Sequence, residues 1–194
     1  MPPKPKFTKE EIVAAALRIV SESGLSALTA KSLGNALHTS ATPIFTVFHS
    51  MQEVVEEVRM AAMGIFESYA HKMGSDMPIF KQVGMQMILF AKEEPQLYQL
   101  IFMSQNSDVK SFADIYRHLG SVAYECLQTI QGDYGLSEAD ARVLFEHSWV
   151  HTYGIATLCA TGMCEFTREE LSKMLTQDFA AMMLLLKSAK AENS

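Results

Sequence analysis

His147 and His151 stand four residues apart, a spacing that would put both imidazoles on one face of a helix, within reach of a shared metal ion. The run between them reads HSWVH, however. The glutamate that zinc proteases keep inside such a pair lies outside it here, as Glu146. Histidines at this spacing more commonly serve as hydrogen-bonded pocket or core residues, so no metal is expected. The three cysteines, Cys126, Cys159 and Cys164, are odd in number and form no C-x-x-C pair. They read as reduced thiols of a cytoplasmic protein. No Gly-rich phosphate loop, G-x-S-x-G elbow or paired catalytic carboxylates stand out in the 194 residues, so an enzyme has nothing to rest on. Neither catalytic residues nor a cofactor are expected.

A second group of residues suggests binding rather than catalysis. Residues 38–50, HTSATPIFTVFHS, open as a polar turn, enter a short helix through Pro43, and carry Phe45 and Phe48 three apart. Hydroxyls crowd this stretch, and Thr29 and Lys31 precede it. Residues 1–50 hold five basic side chains (Lys4, Lys6, Lys9, Arg18, Lys31) against three acidic ones (Glu10, Glu11, Glu22), a balance of +2. The remaining 144 residues hold eleven against nineteen, and the whole chain carries −6. A polyanion would therefore meet the N-terminal end.

These residues are positioned by helices. Thr8 and Glu11 form a capping box ahead of a stripe of Ile12, Ala16, Ile19 and Val20, and Gly24 is expected to close that helix as a left-handed C-cap. Thr29 caps a second helix to about Leu37, and Ser40 a third. Ser50 with Glu53 opens a long helix to about Met73, with Val54, Val58, Ala61, Ala62, Ile65 and Tyr69 on one face. Further helices are predicted at about 78–93, 95–104, 108–131, 137–161 and 167–190, the last capped by Thr167 and Glu170. No strand pairing, repeat or membrane-length apolar run interrupts this all-α pattern, and the N-terminus has no secretory apolar core.

Helix 137–161 is apolar on two sides. Phe145, Trp149, Tyr153 and Ala156 line one, and Val143, Val150, Gly154 and Leu158 the other. One side can face the chain's own core and the other a second copy, two helices from each subunit forming a four-helix interface. Burial of both sides within one chain is the alternative. Aromatic and methionine side chains (13 methionines in all) crowd the middle of the sequence, a composition suited either to core or to an adaptable apolar cavity.

With these residues in view, the stretch EEIVAAALRIVSESGLSALTAKSLGNALHTSATPIFTVFHSMQEVVEEV resembles the N-terminal domain of TetR-type (TetR/AcrR) transcriptional regulators over about the first 60 residues. The resemblance implies a helix-turn-helix DNA-binding domain at 1–50, its motif at about 29–48, and a helical ligand-binding and dimerisation domain at 51–194, linked by the long helix. It implies that Thr29, Lys31, Ser40, Ala41, Thr42, Pro43, Phe45, Thr46 and His49 face DNA, with Ile44 and Phe48 turned inward. Phe45 replaces a tyrosine common in the family, and Met51 a lysine, so fewer phosphate contacts and a shallower salt dependence are expected. A pocket is implied in the bundle, with Met87, Phe90, Tyr98, Phe102, Phe145, Trp149 and Tyr153 as its expected lining. The implied function is a cytoplasmic, homodimeric repressor that leaves a near-palindromic double-stranded operator when a largely apolar effector binds. The alternative is an apolar-ligand carrier or sensor whose head no longer serves on DNA.

Overall fold

Caps within three residues of each start decide where several helices begin. The Thr8 hydroxyl accepts from the Glu11 N–H at 3.2 Å, while the Glu11 carboxylate accepts from the Thr8 N–H at 2.8 Å. Helix α1 follows as Lys9–Ser23. Thr29 and Ser32 exchange the same pair of bonds ahead of α2, Ala30–Ala36. Ser50 accepts from the Glu53 N–H before α3, Met51–Ala70, but the Glu53 carboxylate reaches one residue further back, to the His49 N–H. The reciprocal box expected there is thus only half formed. The computed structural model describes residues 6–72, 78–104 and 109–192, with side chains to Ala189.

After α3 come α4 (Ile79–Glu93), α5 (Pro95–Tyr98, continued as a π-helical turn Gln99–Met103), α6 (Phe112–Leu119), α7 (Ser121–Tyr134), α8 (Glu138–Ala160) and α9 (Arg168–Glu192). Among the described residues there is no strand, and no helix is long and apolar enough to cross a membrane. The chain separates into two compact units, and they do not divide at residue 50. One holds the described residues up to Phe66 together with Glu94–Ser104; the other holds those of Glu67–Glu93 and those after Ser104.

In the first unit Ile12, Ala16, Val20, Leu33, Ile44, Phe48, Val54 and Val58 form a buried core. On α3 the buried stripe continues through Ala62 and Phe66, displacing the expected Ala61 and Ile65 to half-buried positions. The 94–104 segment joins this core. Phe102 meets Phe66 edge to face at 5.1 Å between ring centres, and the Arg59 guanidinium donates to the Leu100 carbonyl and the Ser104 hydroxyl. Lys9 pairs with Glu57 at 2.6 Å.

In the second unit α4, α7, α8 and α9 pack on one another, with α6 against α7. Three sequence expectations are corrected here and in the first unit. Gly24 has the positive φ of a cap (80°) but ψ of 169°, outside the left-handed helical region, so the chain leaves α1 extended into a 3-10 turn, Leu25–Ala27. The single helix expected over 108–131 is two helices, because Gly120 (φ 54°, ψ −123°) caps α6 and turns the chain before α7. The third helix of the head is not a regular α-helix, as described below. The expected break at 74–78 falls, apart from Pro78, outside the described residues.

Candidate functional site

The segment between α2 and α3 is built on a tight crossing. Helix α2 ends in a Schellman motif: the Thr39 N–H donates to the Gly34 carbonyl at 2.9 Å and the His38 N–H to that of Asn35 at 3.0 Å. His38 takes the left-handed position, with φ of 51°. Gly34 permits this return, since a Cβ there would stand 2.9 Å from the Thr39 carbonyl oxygen. Beyond the turn, residues 44–46 form a 3-10 turn, with bonds from the Ile44 and Phe45 N–H groups to Ala41 and from the Phe48 N–H to Ile44 around it. The residue types explain the tightening. Pro43 donates no N–H, Thr42, Ile44, Thr46 and Val47 are β-branched, and the Thr46 hydroxyl donates to the Pro43 carbonyl at 2.6 Å, competing with the helical ladder.

Ile44 and Phe48 are buried, and they hold this turn on the core. Thr29, Lys31, Ser40, Thr42, Phe45, Thr46 and His49 are exposed, while Ala41 and Pro43 are half-buried. Two details alter their capacities. The Thr29 N–H, a possible phosphate donor, is taken by Ser32, and the Thr46 hydroxyl has spent its proton on Pro43, leaving an acceptor. Lys6 was missed: its ammonium lies 3.3 Å from the Thr39 hydroxyl and adds a cation beside the turn. Sequence separation hid it, although its charge was visible.

The second unit holds a partly open cavity of about 320 Å³, walled by α4, α7, α8 and α9. Of the expected lining residues, Met87, Phe145 and Trp149 meet there. The other four do not. Phe90 packs against Tyr69 in a T-shaped contact, at 5.3 Å between centres. Tyr98 and Phe102 pack on each other at 5.1 Å within the first unit. Tyr153 is half-buried on α8, off the cavity's arc.

Residues not anticipated complete the wall. Phe80 lies 6.3 Å from Phe145 and 5.9 Å from Phe179, and Tyr134 lies 4.8 Å from Phe179. Phe145 and Trp149 stack, with planes 10° apart. Gly84 leaves room on α4: an added Cβ would only touch Leu175 and Thr152, at 3.4 and 3.5 Å. Burial pushes the Cys126 thiol up to about 12, assisted by Glu125, so it serves as neutral wall and not as a nucleophile.

The polar exceptions are few. The buried Ser148 hydroxyl donates to the Asp178 carboxylate at 2.8 Å, and Lys81 donates to the Ser172 and Thr176 hydroxyls at 2.7 and 2.8 Å. A usable signal existed in the sequence: Ser148, Thr152 and Asp178 interrupt otherwise apolar stripes. His147 is exposed, whereas the His151 Nδ1 stands 4.0 Å from Asp178. Among the described residues no cluster of three or more metal-ligating side chains includes either histidine.

One surface is left open. Val143 and Val150 on α8 are 40% and 58% exposed, and Leu184 and Leu185 on α9 are 70% and 57% exposed. Burial of both faces of α8 by the chain itself, the alternative considered from sequence, therefore does not occur among the described residues.

A family model described as "Tetracyclin repressor-like, C-terminal domain" matches residues 80–181, just over half the chain. A putative TetR family regulator from Vibrio parahaemolyticus superimposes with a TM-score of 0.61 at 18% identity, covering 89% of this chain and 97% of its own. A TetR variant from Acinetobacter baumannii in complex with minocycline gives 0.61 at 12% identity, covering 94% and 98%. Thermus thermophilus FadR, a TetR family repressor in complex with lauroyl-CoA, gives 0.53 at 15% identity, covering 91% and 93%. At these identities the superpositions speak for the fold alone. No curated protein matches significantly in sequence.

Proposed function

The chain belongs to the TetR family, and on that premise we propose that it is a ligand-responsive DNA-binding regulator acting as a homodimeric repressor in the cytoplasm. The observation that carries this reading is one chain holding two separate devices. One is an exposed, hydroxyl-rich turn braced by Ile44 and Phe48; the other is a largely apolar, partly open cavity in the other unit. The turn, within a DNA-binding head at about 1–50, enters the major groove of a double-stranded operator. Thr42 and Ser40 offer hydroxyls, Pro43 and Ala41 offer apolar surface to thymine methyls, and Lys31, Lys6 and His49 sit near phosphates. Thr29, Phe45 and Thr46 border this surface.

The cavity takes a small, largely apolar effector against Met87, Phe145 and Trp149, and the solved relatives with minocycline and lauroyl-CoA support that use of the fold. An effector releases the operator only if it favours one arrangement of the heads over another. The exposed apolar stripes of α8 and α9 pair with those of a second copy, which sets two heads against a near-palindromic operator.

The test is fluorescence anisotropy of the full chain with DNA flanking its own gene, across a salt series. Binding tighter than to unrelated DNA, weakened by salt and by both Lys31→Ala and Thr42→Ala, is expected. With so few cations the slope of log affinity against log salt should be shallow, about 0.9 per phosphate neutralised. A chain that binds apolar ligands yet discriminates no DNA in a genome-wide selection is instead a carrier or sensor, the reading favoured by Phe45 and Met51 standing where relatives place phosphate-binding groups.

A further inference from the structure

The cavity's polar groups are not evenly spread. Asp178 is its carboxylate, and the side chain is 20% exposed. Among the described contacts it accepts a hydrogen bond from Ser148, and the His151 Nδ1 stands 4.0 Å away, an ion-pair distance when that ring is protonated but too long for a hydrogen bond. A carboxylate can accept about four such bonds, so Asp178 can take a further donor from the cavity side. Lys81 is the cavity's ammonium, but Ser172 and Thr176 hold it, and both of these also border an open groove with Arg168 and Lys173. The cation is thus held towards that open groove, while the carboxylate shares the cavity wall with the rings of Phe80, Tyr134, Phe145, Trp149 and Phe179.

Aromatic faces carry negative charge density, so they attract cations and repel anions, most strongly where water is excluded. Resting on the reading of this cavity as the effector site, we propose that its ligand is a compact lipophilic amine or quaternary ammonium compound, with its single positive charge beside Asp178. The volume, about 320 Å³, sits at the low end of the roughly 300–1,000 Å³ typical of small-molecule sites, which favours a ligand of a ring or two with a short chain. A carboxylate on the same body would face Asp178 and the ring faces, and could escape them only by reaching Lys81.

Trp149 is the chain's single tryptophan and lines the cavity, so its emission reports occupancy directly. Three probes with one apolar body separate the possibilities: para-butylbenzylammonium, para-butylbenzyl alcohol and para-butylbenzoate, titrated against the full chain by Trp149 fluorescence and calorimetry. The ammonium compound should bind about tenfold or more tighter than the alcohol, with the benzoate weakest. Asp178→Asn, which keeps an acceptor for Ser148, should erase the ammonium's advantage, while Lys81→Met should leave the order intact. Equal binding of alcohol and ammonium, or tightest binding of the benzoate with its loss in Lys81→Met, overturns the charge assignment and leaves the effector cavity standing. Absence of any binding by all three overturns the cavity reading itself. The order in the unaltered chain decides the matter even if Asp178→Asn does not fold.

Discussion

Replacing Gly34 with alanine sets two effects of opposite sign against each other. In a helix interior alanine is favoured over glycine by about 1 kcal/mol, because glycine loses more backbone freedom on folding. At Gly34 the new Cβ meets the Thr39 carbonyl oxygen at 2.9 Å, the Ser40 carbonyl carbon at 3.3 Å and the Ala41 nitrogen at 3.4 Å, all of them backbone atoms that cannot swing aside. Such overpacking costs about 1–3 kcal/mol, so the net effect runs from near zero to about 2 kcal/mol of destabilisation. Gly64 is the internal control: it lies in exposed helix in the same unit, with nothing within 4 Å of an added Cβ. Alanine there should stabilise by up to about 1 kcal/mol.

The two variants should therefore differ by about 1–3 kcal/mol, which is about 2–4 °C in Tm per kcal/mol for a chain of this size. Thermal and urea denaturation at one protein concentration measure the difference. Only Gly34→Ala should also weaken DNA binding, since it displaces the turn carrying Ser40 to Thr46. Equal stabilisation by the two substitutions would refute the close-crossing argument.

Three further outcomes are expected. Val150→Glu with Leu184→Glu should shift sedimentation from dimer to monomer with helical content retained; an unchanged mass would remove α8 and α9 as the dimer surface. The Ser111 hydroxyl, the Lys110 N–H and then Arg117 hold the Asp114 carboxyl down from 3.8 to about 2. Because this folded-state value is depressed, the stabilisation is present above about pH 4 and fades as pH falls towards 2. An acid titration followed by NMR should show that midpoint, and Ser111→Ala should raise it. Cys126, buried and with its thiol near 12, should resist alkylation at pH 8 until the protein unfolds; prompt labelling located by mass spectrometry would contradict its place in the wall.

The helix starts could be read from the residues because their causes are local. Thr8 with Glu11, Thr29, and Thr167 with Glu170 satisfy N–H groups within three positions, and the exchange at Thr167 is present as expected. The inward turn of Ile44 and Phe48 came from the family resemblance and not from a local rule, and both side chains are buried. The shortening of the expected third helix was a subtler local case, in which a proline, four β-branched residues and one hydroxyl outweighed helical spacing.

The cavity obeyed no local rule. Met87 and Phe90 share α4, yet they face a cavity and Tyr69 respectively, because neighbouring helices choose which arc is covered. Tyr98 and Phe102 lie only a few residues beyond α4 and belong to the other unit's core. Lys81 found its partners more than ninety residues away, and Asp178 found Ser148 thirty residues away. Periodicity and capping, which act within a turn or two of chain, determined an all-α protein whose short capped helices precede a long one. The lining of the cavity, the seat of its charges and the uncovered stripe of α8 depended on contacts between distant segments, which only packing brings together.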